Sequence, residues 1–175
     1  MSDAINHALP NTQPKVHTQH RSVESTILSF WTSLDRLRAD RADLRRCRNP
    51  VEVTFTPAFH RLFGHVCSAD LRPDLERLAV LAAALANIEQ NQSSTTFPVQ
   101  LATGMDGRPP LSTLRFRRLL AIDGMPELQT HLVRAIRLLG RQANVVDLAF
   151  SILSWDDDTK KRWAFHYYGK IQEKK

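Results

Sequence analysis

A chain of 175 residues with 42% apolar content can bury the core of one compact domain or two small ones. No window approaches the roughly 18 apolar residues of a membrane span, and the polar start MSDAINHALPNTQPKVHTQH lacks a signal-peptide pattern, so the chain reads as cytosolic. A formal charge of +6 and an excess of 18 Arg over 6 Lys favour a polyanionic partner, although a GC-rich genome would give the same bias.

Residues 1–20 have no apolar period and read as a disordered tail. From Ser22, the positions Val23, Ile27, Phe30, Leu34 and Leu37 step by four and three, which is one face of a helix flanked by Trp31. Asp40 is placed to cap a second short helix through Leu44, Arg45 and Arg46, which stops before Asn49-Pro50 because a residue preceding proline avoids the helical region. Thr56-Pro57 restarts a helix through Phe59 and Leu62. Pro73 opens the longest apolar helix, with Leu75, Leu78, Leu81, Ala82, Leu85 and Ile88 in one stripe. The stretch from Asn91 to Pro110 is polar, then Gly/Pro-rich, and reads as a long connection. Four helices follow it. Ser112 caps the first, Pro126 begins the second and Gly140 ends it, Asn144 caps the third, and Asp156 caps the last, which carries Trp163, Phe165 and Tyr167. No segment alternates with period two, so the expected fold is all-α: two small helical bundles, 21–104 and 105–175, joined by a Gly/Pro-containing connection.

Seven arginines (108, 115, 117, 118, 134, 137 and 141) face only Asp123 and Glu127 between Arg108 and Arg141, so nearly all the net charge falls in one fifth of the chain. A helical wheel puts Leu128, Leu132, Ala135, Ile136 and Leu139 on one side, with Arg134, Arg137 and Arg141 opposite at i, i+3 and i+7. Such neighbours are about 5–6 Å apart, which suits successive phosphates of a nucleic-acid strand. In the preceding segment Phe116, Leu119 and Leu120 face inward, Arg117 and Arg118 point away, and Arg115 lies at the border. The cluster Arg45, Arg46 and Arg48 is less decisive, because Asp35, Asp40 and Asp43 are close enough to pair with it. No aromatic residues interleave with these arginines, which favours backbone contact over base readout.

Catalytic signatures are missing: there is no phosphate-binding glycine loop, no HExxH and no GxSxG. Cys47 and Cys67 have no zinc-ligand spacing and are expected to be buried free thiols. The best enzymatic candidate is Asp156-Asp157-Asp158 with His166, as a divalent-metal nuclease. Adjacent helical residues point about 100° apart, however, and three acids in a first turn are what capping and the helix dipole favour. No cofactor, metal or catalytic residue is therefore expected.

Several segments resemble the CasB family, the small subunit of the type I-E Cascade CRISPR effector. They are Trp31-x-x-Leu34, Leu44-Arg45-Arg46 with Pro50, Thr56-Pro57-Ala58-Phe59-His60-Arg61-Leu62, Arg115-Phe116-Arg117-Arg118-Leu119-Leu120, Arg134-Ala135-Ile136-Arg137-Leu138-Leu139, and Trp155 to Tyr168 with Lys160-Lys161-Arg162-Trp163. The resemblance implies a non-catalytic subunit in a two-part helical fold, present as two copies head to tail beside the CasC filament that carries the guide RNA. It implies contacts with CasA and CasE, an assembly that also holds CasD, and support of the guide RNA, target strand and displaced non-target strand. By position it marks Arg46, Arg115 and Arg137, and less securely Arg72 and Lys161. Two alternatives compete with it. One is a helical adaptor or DNA-binding regulator, with Ile122-Asp123-Gly124-Met125 as the turn of a helix-turn-helix. The other is the metal nuclease.

Overall fold

The structure, a computed structural model, describes residues 14–68, 74–104 and 107–172, with side-chain surroundings from Val23 onward. Ten helices are present among these residues: α1 (Pro14–Arg36), α2 (Arg38–Arg46), α3 (Pro50–Thr54), α4 (Pro57–Ser68), α5 (Leu75–Asn87), α6 (Phe97–Thr103), α7 (Thr113–Leu120), α8 (Met125–Leu138), α9 (Val145–Leu153) and α10 (Asp157–Gln172). The all-α expectation holds. The sheet consists of two residues on each side, β1 (Gln90–Asn91) pairing in parallel with β2 (Gln142–Ala143). No helix among the described residues is long and apolar enough to cross a membrane.

Helix α5 organises the molecule. From Leu78 to Asn87 it carries no charge and every residue is buried. A helix apolar on all sides needs neighbours on all sides, and α5 has them: α2, α3 and α4 from the N-terminal part, and α8 and α9 from the C-terminal part. One hydrophobic cluster therefore runs from Val23 to Tyr167, across the position where a boundary between two bundles was expected. Leu75, read as part of the stripe, is exposed in the first turn, where Asp74 caps the helix by accepting from the Arg77 amide at 2.9 Å.

Several boundaries follow the expected chemistry. Asn144 caps α9 through the Asp147 amide (3.0 Å), and Asp156 caps α10 through the Thr159 amide (2.8 Å). That last hydrogen bond is the main reason the Asp156 carboxyl lies below the usual carboxylate range. Helix α8 ends in a Schellman arrangement, with Gly140 N–H donating to the Arg137 carbonyl (3.0 Å) and Arg141 N–H to that of Ile136 (2.9 Å).

Other details differ from the sequence reading. Helix α1 starts at Pro14, inside the segment read as tail, because extending an anchored helix costs only propagation and needs no apolar period. Residues 1–13 lie outside the described residues. Leu37 is exposed at the break between α1 and α2, where Leu37 itself, not Asp40, holds the N-cap position. Asp40 pairs instead with Arg61. The segment after Asn49 is the short helix α3, capped by Asn49. Cys67 is exposed and Cys47 is half-buried.

The supposed connection 91–110 holds α6, which packs along α10. Its first amide, on Phe97, donates to the Asp147 carboxylate (2.8 Å), and Thr96 Oγ1 is 3.1 Å from His166 Nδ1. Gly104 ends α6 with φ 60°, where a side chain would also collide with the Arg108 carbonyl.

Candidate nucleic-acid interface

Two amphipathic helices build the basic surface. On α7, Phe116 and Leu119 are buried, and Phe116 stacks on Tyr167 of α10 with ring centroids 3.7 Å apart. The Tyr167 hydroxyl donates to the Leu111 carbonyl at 2.6 Å, just ahead of α7. On α8, Leu128, Leu132, Ala135 and Ile136 are buried toward α5. The turn between the two helices is fixed by Trp155 Nε1 donating to the Ile122 carbonyl (2.9 Å) and by an ion pair of Lys160 with Asp123.

With the inner faces held in this way, Arg115 and Arg118 of α7 meet Arg134 and Arg137 of α8 around one groove. The groove has a volume of about 530 Å³, and Leu111, Leu119, Leu138 and His131 complete its lining. All four arginines are exposed. Among the described residues no carboxylate lies within ion-pair distance of any of them. Four unneutralised guanidinium groups around a concave surface focus a positive potential and offer bidentate donors to phosphate.

The remaining candidates lie elsewhere. Arg117 is exposed on α7, about 160° around the axis from Arg115. Arg141 does not continue the α8 stripe, because the helix ends before it and its backbone is left-handed (φ 64°). It turns toward the end of α5: its carbonyl accepts from the Glu89 amide (2.8 Å), and its Nε lies 3.6 Å from the Glu89 carboxylate. Arg141→Gly relieves a left-handed conformation at the cost of a half-exposed ion pair. Stability should therefore change by less than about 1 kcal/mol in urea unfolding, with no change in nucleic-acid binding.

Arg46 is 74% exposed and pairs with Asp43 one turn earlier. Its neighbours in the Leu-Arg-Arg block serve the fold. Arg45 Nε donates to the Ala86 carbonyl (2.7 Å), while Arg41 and Trp31 Nε1 donate to that of Ile88 (3.4 and 3.0 Å), so cations and an indole satisfy the end of α5. Burial first, then the nearby Arg141 charge, lowers the Arg45 pKa. Lys161 forms an exposed pair with Asp158 at 3.2 Å. Exposed pairs of this kind are worth at most about 1 kcal/mol, so Arg46 and Lys161 can exchange a carboxylate for a phosphate. Arg72 lies outside the described residues.

The acids at the start of α10 do not gather with His166, whose ring is held by Thr96, and no group of three potential metal ligands occurs among the described residues. In a helix-turn-helix reading, the first residues of α8 would enter the groove of DNA. They carry Glu127, while the arginines lie in the second half of the helix.

Burial pushes the Tyr167 pKa up. A raised folded-state pKa gives stability that is complete below the unfolded value near pH 10 and is lost as pH rises through the folded one. Tyr167→Phe should lower stability at neutral pH by about 1–2 kcal/mol through the orphaned Leu111 carbonyl, and should flatten the loss above pH 10. Chemical denaturation at pH 7 and above pH 10 checks both effects.

The family model for the CRISPR-associated protein Cse2 matches residues 40–168. The chain belongs to the Cse2 family. Cse2 is CasB, so the resemblance drawn from the sequence names the same family. The Cse2 match spans α7 and α8 and thus the whole four-arginine groove. A chain in the crystal structure of E. coli Cascade bound to a PAM-containing dsDNA target shares the fold, with TM-score 0.65 and 16% identity over 90% of this chain and 96% of that one. No curated protein sequence matches the chain.

Proposed function

We propose that this Cse2-family chain is the non-catalytic small subunit of a type I-E Cascade effector, and that it holds nucleic-acid backbone in the groove between α7 and α8. The observation that carries the proposal is the convergence of Arg115, Arg118, Arg134 and Arg137 on one concave surface, with no acid among the described residues within ion-pair distance of them. Pairs spaced i, i+3 on each helix put their Cβ atoms about 5–6 Å apart, from where the guanidinium groups can reach neighbouring phosphates of a strand. Contacts to phosphate carry no sequence information, which suits a subunit that must accept any guide and target.

The work of the groove is to support the guide RNA and target strands and to hold the displaced non-target strand. Exchanging a DNA duplex for an RNA–DNA heteroduplex is nearly balanced in free energy, so a few backbone contacts tip it toward the open R-loop. Arg46, Arg117 and Lys161 lie outside the groove as further candidate phosphate contacts, and Arg72 is carried by the family resemblance alone. The partners are CasA, CasC, CasD and CasE, a second copy of the chain, the guide RNA and both DNA strands.

The test is binding of labelled single-stranded DNA and RNA by the purified chain. Arg115→Gln, Arg118→Gln, Arg134→Gln and Arg137→Gln combined should weaken binding at least about tenfold at low salt while leaving the melting temperature nearly unchanged. Equal binding by parent and variant would reject the groove as the nucleic-acid site.

A further inference from the structure

Phosphate recognition explains the arginines of the groove but not its floor. Leu111, Leu119 and Leu138 line the same concavity, and Leu138 is 49% exposed on α8, beside Arg137 and one turn beyond Arg134. A half-solvated leucine among four guanidinium groups gains nothing from a phosphate. It does gain from a flat apolar surface that displaces water from it. A nucleobase has such faces, and at about 530 Å³ the groove falls within the range of small-ligand sites.

We infer that the groove seats one unstacked base of a single strand against the exposed side chain of Leu138, above the buried Leu111 and Leu119, with the flanking phosphates held by the arginine pairs of α7 and α8. The inference rests on the proposed backbone-binding role and specifies the form of its ligand. In a duplex the bases are paired and stacked inward, so none reaches the floor. In a displaced or unpaired strand a base can turn out, and guanidinium planes at the rim can stack on it, as they do where single-stranded nucleic acid is recognised. Among the described residues of the lining, His131 is the one polar side chain besides the arginines, and its Nδ1 is engaged by the Glu127 carbonyl at 3.1 Å. Among the described residues the groove pairs no side-chain acceptors with its arginine donors to read one base against another. The seat is therefore tolerant of sequence and selective for single strands.

The test compares three labelled ligands of equal length on the full chain: a single strand, the same strand with abasic sites, and the matching duplex. The single strand should bind about five- to tenfold more tightly than the abasic strand, in line with one seated base, with the same slope of log affinity against log salt. It should also bind more tightly than the duplex. Leu138→Ser, checked for unchanged melting, should abolish the preference over the abasic strand and leave the salt slope intact. Equal binding of normal and abasic strands by the parent chain would overturn the base seat, and the role of the arginines would survive. A preference that persists in Leu138→Ser would overturn the location. Displacement of the strand by an acidic, leucine-bearing helical peptide at lower concentration than by unlabelled strand would make the groove a protein site and overturn the inference. Failure of the backbone-binding role itself is separately visible, as unaltered binding by the fourfold Arg→Gln variant.

Discussion

Removing the four groove arginines together is expected to take about 2.8 units from the slope of log affinity against log salt on a single strand, at about 0.7 per phosphate contact. Between 50 and 200 mM salt that is about a fiftyfold share of the affinity loss, enough to separate these contacts from a diffuse basic surface. The four side chains are exposed and have no ion-pair partner among the described residues, so their substitution costs little stability. Replacing Arg46 and Lys161 instead should remove less slope. Each has a carboxylate partner already in place, Asp43 and Asp158, and each must give it up before it contacts a phosphate.

Trp163→Ala should be the most damaging single change to the fold. Its ring is buried where α6, α9 and α10 meet, 5.4 Å from Phe97 and 5.1 Å from Trp155 between centroids, and its Nε1 donates to Ser151 Oγ at 3.0 Å. Truncating a buried tryptophan costs about 3–5 kcal/mol, a large share of the 5–15 kcal/mol typical of a folded domain. Because one cluster runs from Val23 to Tyr167, urea should unfold the variant in a single transition at a lower midpoint. A loss below about 1 kcal/mol would mean that α6 and α10 do not pack as described.

The parts of the fold that sequence revealed are those whose signals are local. The buried faces of α1 and α8, and the caps at Ser112, Asn144 and Asp156, depend on residues within one turn of each other. Helix α6 escaped notice because its start is completed from afar: Thr96 makes no side-chain cap, and the Asp147 carboxylate receives the Phe97 amide from 50 positions away. The same holds for the site. The i, i+3 spacing of Arg134 and Arg137 is legible in the sequence, whereas the wheel groups Arg118 with Arg117 and leaves Arg115 at a border; that Arg115 and Arg118 face Arg134 and Arg137 depends on how α10 holds α7 and how α5 holds α8. Arg141 falls outside the stripe because α8 ends at Leu138 and the backbone turns left-handed at Gly140 and Arg141, so helical periodicity does not reach it. Leu138 carried a signal that was available in the sequence. It is an apolar residue outside the buried stripe and beside Arg137, which is a reason to suspect a ligand rather than a core.

Whether the α7–α8 groove holds a strand of the opened target is read from the lifetime of the R-loop in the assembled effector. With Arg115, Arg118, Arg134 and Arg137 all replaced by Gln, the subunit should enter the complex in parental stoichiometry. The R-loop should dissociate at least about tenfold faster, with the displaced strand more reactive to single-strand probes. An R-loop of parental lifetime in a fully assembled complex, or a variant excluded from the complex, would contradict the groove's hold on the strand.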